Sequence, residues 1–120
     1  MNLTINIEPV PLARPRLNTT NRGRYLPVKS RKFQDDLRAL VRAAFKDKPL
    51  DSPLAVTLHF YRPRKPTAQN FGDIDNLVKA VLDACNGVIW TDDKLITQLL
   101  AFKHKGAGKI EMEVIGIDKN

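Results

Sequence analysis

Five aspartates, Asp73, Asp75, Asp83, Asp92 and Asp93, lie close together in a chain that is otherwise strongly basic. Asp73 and Asp75 fall where the spacing of the following apolar residues predicts a helix N-terminus, whose unpaired backbone N–H groups favour negative charge. Asp75, Lys79 and Asp83 recur at four-residue spacing on the polar ridge of that helix, opposite its apolar stripe. Magnesium is a hard ion bound through carboxylate, water and phosphate oxygens, so converging aspartates suit it. The net charge of +7 implies an anionic partner, with nucleic acid the leading class. A passive nucleic-acid binder gains nothing from acids that repel phosphate, and a divalent cation held between acid and phosphate removes the conflict. The chemistry expected of the cluster is metal-assisted attack on a phosphodiester, with Lys79 supplying a point charge at the scissile phosphate. Each residue also has a plain structural role: Asp73 as an N-cap, Asp75 as a helix-dipole partner, Asp92-Asp93 as a solvated turn and Lys79 as an ion-pair partner of Asp75 or Asp83. An EF-hand fails, because Val78 stands where that loop needs glycine and Ala84 where it needs glutamate.

The elements that must position these residues follow from periodicity. Leu3, Ile5 and Ile7 alternate with polar residues until Pro9 and Pro11 end a first strand. Residues 13–34 carry seven basic and no acidic residues, with turn formers at 18–23, and read as a basic loop or loose hairpin. Ser30 is placed to cap a helix bearing Phe33, Leu37, Leu40, Val41 and Phe45 on one face, with Pro49 beyond its end. Leu54, Val56, Leu58 and Phe60 alternate along a second strand, closed by the charged and proline-rich residues 62–66. Ile74, Leu77, Val78, Val81, Leu82 and Cys85 form the stripe of a second helix, between a cap at Asp73 and a C-terminal Asn86-Gly87. Residues 95–103 and 109–117 read as strands joined by a hairpin turn at Gly106-Ala107-Gly108. The order β-α-β-α-β-β predicts an α+β fold, a mixed sheet with two main helices packed mainly on one face.

At 120 residues, with 42% hydrophobic and 28% charged residues, the chain has the size and apolar content of one domain with one core, spanning residues 1–120. Cys85 stands alone, so no internal disulfide forms, and its place on the apolar stripe makes it a core residue. Trp90 is expected as a core anchor, and His59 and His104 at surface or sheet positions. No leader-like N-terminus and no apolar run long enough to span a bilayer are present, so the expected location is the cytoplasm with no membrane association.

Residues 72–87, Gly-Asp-Ile-Asp-Asn-Leu-Val-Lys-Ala-Val-Leu-Asp-Ala-Cys-Asn-Gly, and then Trp90-Thr91-Asp92-Asp93 resemble the signature of the RusA family of Holliday junction resolvases. The likeness extends more loosely to Arg14-Pro15-Arg16 and the basic region up to Lys32, and so covers essentially the whole chain. Ala84-Cys85 departs from the Ala-Leu common in the family, a change in packing that leaves the chemistry untouched. The resemblance implies a homodimeric, magnesium-dependent endonuclease of bacterial or phage origin that cuts four-way DNA junctions symmetrically, with manganese as a substitute metal. It also implies Asp73, Asp75 and Asp93 as metal ligands and Lys79 as the catalytic lysine. Asp92 is a further possible ligand, since the residues alone do not choose between it and Asp93. Arg14, Arg16, Arg22, Arg24, Lys29, Arg31, Arg62, Arg64 and Lys65 are the expected grip on the DNA backbone. Two other readings fit the same residues: a non-catalytic binder of branched DNA, and a nuclease for flaps or other branches.

Overall fold

The even-numbered residues Leu54, Val56, Leu58 and Phe60 are all buried, while their odd-numbered neighbours are half-exposed, so a strand over Leu54–Arg62 forms the centre of the molecule. The computed structural model describes residues 1–11, 16–17, 24–25 and 28–117. In chain order the elements are β1 (Asn2–Ile5), β2 (Arg16–Leu17), β3 (Arg24–Tyr25), α1 (Val28–Ala44), β4 (Leu54–Arg62), α2 (Ile74–Cys85), β5 (Ile96–Lys105) and β6 (Lys109–Gly116). The main sheet runs β1-β6-β4-β5; β4 is antiparallel to β6 and parallel to β5, and β1 is antiparallel to β6. The expected mixed sheet and α+β class are therefore present. The short antiparallel pair of β2 and β3 gives the basic segment the loose hairpin form expected of it.

Two local expectations fail for physical reasons. Strands 5 and 6 do not pair as a hairpin, because β4 lies between them. The Gly106-Ala107-Gly108 connection instead passes over the end of β4, where the Gly106 N–H donates to the Arg62 carbonyl at 2.9 Å. Two strand spacings of about 4.8 Å span roughly 10 Å, within the reach of three extended residues, so one short glycine-containing loop serves either topology. Ser30 is likewise no N-cap: α1 starts at Val28, and Ser30 is buried inside it. Leu40, expected on the apolar face of this helix, is exposed.

The core lies between the helices and one face of the sheet, with Phe33, Leu37 and Val41 of α1 and Leu77, Val81 and Cys85 of α2 packed in the same cluster as the inner residues of β4 and β6. Burial pushes the Cys85 thiol up to about 12. At pH 8 roughly one thiol in ten thousand would then be ionised, and the sulfur is out of reach of solvent. A thiol reagent such as DTNB should therefore leave the native protein unmodified over hours and react at once in denaturant. Fast labelling of the native protein would show that the α2 face opens readily.

The other face of the sheet bears a ladder of rings, Phe102, His59, His104 and Tyr61, stacked at centroid distances of 4.7 to 5.0 Å between successive members. His59 Nδ1 and His104 Nε2 are 2.8 Å apart, one ring donating and the other accepting. Both histidines thus take the sheet alternative of the expected surface or sheet positions; their pairing comes from β4 and β5 lying side by side. The Tyr61 hydroxyl and the Glu111 carboxylate interact across the sheet, which holds that carboxyl below its usual range and the phenol above its own.

Candidate active site

Asp73 occupies the N-cap position of α2 in extended conformation, yet its side chain makes no capping hydrogen bond. The carboxylate is exposed and not engaged by the helix end, so the plain capping role does not account for it. Asp75 lies in the first turn, where Oδ1 accepts from the Asn76 N–H at 3.0 Å, and its side chain is also exposed. The turn before them is sharply defined. Gly72 has φ 99° and ψ 155°, a conformation essentially reserved for glycine, and a Cβ there would lie 2.7 Å from Pro11 Cγ.

Asp92 and Asp93 reach the same region by a separate route. Trp90 is fully buried and donates its indole N–H to Asn86 Oδ1 at 2.8 Å, fixing the chain just after α2. The Thr91 N–H donates to the Leu50 carbonyl at 3.0 Å, and the Leu50 N–H to the Ile89 carbonyl at 2.7 Å. Those bonds carry the chain into a 3-10 turn over Asp93–Leu95, with Asp92 at its cap position. Trp90 is thus the core anchor expected of it, and one consequence of its burial is the placement of the acidic pair.

Between α2 and β5 lies an open groove of about 440 Å³, lined by Ile74, Asp75, Val78, Lys79, Leu82, Asp93, Leu99 and Ala101. Its floor is apolar, and its charged groups are two carboxylates from different elements and one lysine. Asp73 and Asp92 stand outside that lining. The lysine ammonium is 3.6 Å from Asp83 Oδ2, with the Lys79 side chain 65% exposed. Such a pair contributes only about 0.3–0.5 kcal/mol, so an incoming phosphate can draw Lys79 away at little cost.

Among the described residues, no three Asp, Glu, His or Cys side chains are gathered closely enough to hold a metal unaided. Magnesium does not require such a cage, since it is commonly held by one or two carboxylates and completed by water and substrate phosphate. The donor set of Asp75 and Asp93, with Asp73 two residues before Asp75, is of the right chemical kind for that ion.

The expected DNA-contacting cations divide. Arg31 and Lys65 are exposed. Arg64 is half-buried, 3.6 Å from Glu8 Oε2, and donates to the Asn70 carbonyl at 3.3 Å. Arg62 is placed differently from expectation: it is buried, with its guanidinium on the Phe71 carbonyl at 2.7 Å and on Glu8 Oε2 at 3.1 Å, and it is spent inside the protein. Its even number puts it on the inner face of β4, a signal the sequence does carry. Arg14 and Arg22 lie outside the described residues, and of Arg16, Arg24 and Lys29 only the backbone is described.

The family model for endodeoxyribonuclease RusA matches residues 6–115. The chain belongs to the RusA family. A match of that extent takes in both helices, β4, β5, nearly all of β6 and every acid of the groove. RusA membership makes the chain a DNA endonuclease of the Holliday junction resolvase type, and the groove between α2 and β5, lined by Asp75, Lys79 and Asp93, lies within the matched residues. No curated protein gives a significant match to the chain. Among the described residues no helix is long and apolar enough to cross a membrane.

Proposed function

We propose that this RusA-family chain is a magnesium-dependent resolvase that makes paired, symmetric cuts in four-way DNA junctions during recombination and repair in the cytoplasm, leaving 5′-phosphate ends. The observation that carries the reading is the meeting of Asp75, Lys79 and Asp93 in one groove, delivered by α2 and by the turn after Trp90. Asp75 and Asp93, with Asp73 and with Asp92 as a further candidate, would hold the ion, manganese serving as a substitute. The bound ion would supply Lewis-acid charge to the scissile phosphate and to the attacking water. Lys79 would contribute a mobile positive charge that offsets the negative charge building on the phosphate as the bond breaks. The apolar floor of the groove, Ile74, Val78, Leu82, Leu99 and Ala101, would limit water around those charges and so strengthen them. The exposed cations Arg31 and Lys65 and the half-buried Arg64, with the arginines of the basic hairpin, would bind the phosphate backbone.

A four-way junction has near two-fold symmetry, and an isologous homodimer would bring two such sites to two equivalent strands. The deciding experiment incubates the purified protein with a synthetic four-way junction, a flap and a linear duplex, each in magnesium and in chelator. The expected result is metal-dependent nicking of the junction at symmetric positions, with little cutting of linear DNA. Tight junction binding without cleavage in magnesium would remove the enzymatic reading, and equal cutting of flap and junction would broaden the substrate.

A further inference from the structure

The turn that leads through Asp73 to the groove acid Asp75 is held from within by two cations on neighbouring strands. Arg62, the last residue of β4, donates to the Phe71 carbonyl at 2.7 Å, and Lys103 of β5 donates to the next carbonyl, that of Gly72, at 3.0 Å. Both cations also lie against the Phe71 ring, Arg62 at 5.9 Å and Lys103 at 5.1 Å from its centroid. Phe71 is fully buried, so the ring is a fixed seat for both charges. The following residue is Asp73.

Lys103 is the more informative of the two. It is half-buried and faces the helix side of β5 with Leu99 and Ala101, although a lysine normally extends its ammonium into water. In a region rich in carboxylates it makes no ion pair within 4.0 Å among the described residues, and bonds instead to a main-chain carbonyl. That carbonyl belongs to Gly72, whose backbone conformation demands glycine. A donor on the Gly72 oxygen fixes the orientation of the peptide unit linking Gly72 to Asp73, and with it the direction in which the chain enters α2.

We infer that Lys103 is a positioning residue for the acidic groove, acting through the Gly72 carbonyl to set Asp73 and Asp75 opposite Asp93. This inference rests on the nuclease reading of that groove, and it predicts an effect opposite in sign to simple electrostatics. Deleting a positive charge beside carboxylates should tighten cation binding if charge alone matters. Deleting a positioning contact should weaken it, by about tenfold on the pattern of residues that orient metal ligands from behind.

The test uses the full chain and three variants, Lys103→Met, Lys103→Gln and Lys103→Arg. Manganese affinity is read from the electron paramagnetic resonance signal of the free ion, alongside thermal melting and the magnesium dependence of junction nicking. Lys103→Met is expected to weaken manganese binding about tenfold and to raise the half-saturating magnesium concentration by a similar factor, with the rate at saturating magnesium nearly unchanged. Exchange of the Leu77 amide, which donates to the Asp73 carbonyl, should quicken. Lys103→Arg, keeping donor and charge, should restore most of the affinity, and Lys103→Gln carries the comparison if the Met variant does not fold. Unchanged or tighter manganese binding, or a lower melting temperature with no loss of affinity, would overturn the inference. Manganese binding by the wild type without junction cleavage would defeat the nuclease reading alone, since the affinity comparison would still judge Lys103. A wild type that binds no manganese would sink both.

Discussion

Asp75→Asn is expected to lower junction cleavage in magnesium by a factor of about a thousand or more while leaving junction affinity in chelator unchanged or slightly improved. The asparagine keeps the size of the side chain and one acceptor oxygen, so the bond from the Asn76 N–H at 3.0 Å has a replacement partner. What disappears is the charge, and with it a strong ligand for a hard cation in the groove shared with Lys79 and Asp93. Removing a negative charge from a surface that meets phosphate cannot weaken backbone contacts, so binding and catalysis separate cleanly. Folding should change little. Asp75 is exposed in the first turn of α2, where a favourable dipole interaction of about 0.3–1 kcal/mol is set against its repulsion by neighbouring acids. The melting temperature of the metal-free protein is therefore expected to be unchanged or somewhat higher. A fall of many degrees, or cleavage retained within tenfold, would mean that Asp75 serves the helix and not the reaction. Asp93→Asn should behave alike if the second acid of the pair is the ligand, and comparison with Asp92→Asn assigns the role.

The parts of the fold that repeat a period were readable from residues alone. Helix α2 declares itself because Leu77, Val81 and Cys85 recur once per turn and are buried together, and β4 because the large apolar residues Leu54, Val56, Leu58 and Phe60 fall at every second position. What escaped reading depends on partners far along the chain. Residues 106–108 look the same whether the strands they join lie side by side or straddle a third, and only the pairing of β4 on both edges decides it. The candidate site was legible at the level of acids and lysine, because their types and spacing are unusual in a basic chain. Its support was not: Glu8, Arg62, Phe71, Gly72 and Lys103 come from four separate stretches, and a charged residue in a strand is ordinarily taken as solvent-facing. Arg62 was open to a better reading, since it continues the buried parity of Leu58 and Phe60. Lys103 shares the parity of Leu99 and Ala101, but three mixed residues on an edge strand do not reveal which face is covered.

Gly72→Ala tests that hidden support at its narrowest point, and the expected result is a large loss of stability together with loss of cleavage. With φ at 99° and ψ at 155° the residue occupies a region that L side chains scarcely visit, which costs about 1–3 kcal/mol for any replacement. The added methyl would also lie 2.7 Å from Pro11 Cγ and 3.0 Å from Pro11 Cβ, and a proline ring has no flexible end that can swing aside. Relief would require the 69–73 turn or the segment after β1 to move, at an overpacking cost of roughly 1–3 kcal/mol. The combined effect of about 2–6 kcal/mol corresponds to a melting temperature roughly 8–24 °C lower for a domain of this size. Either movement displaces the carbonyls held by Arg62 and Lys103, so the protein that remains folded should bind junctions through its surface cations yet cleave them poorly even in high magnesium. This separates Gly72→Ala from Lys103→Met, whose defect added metal should repair, because a displaced backbone shifts Asp73 and Asp75 together while a lost tether only loosens them. A Gly72→Ala protein with native melting behaviour and native cleavage would show that the turn is free to rearrange, and that neither Pro11 nor the glycine conformation constrains the acids beside it.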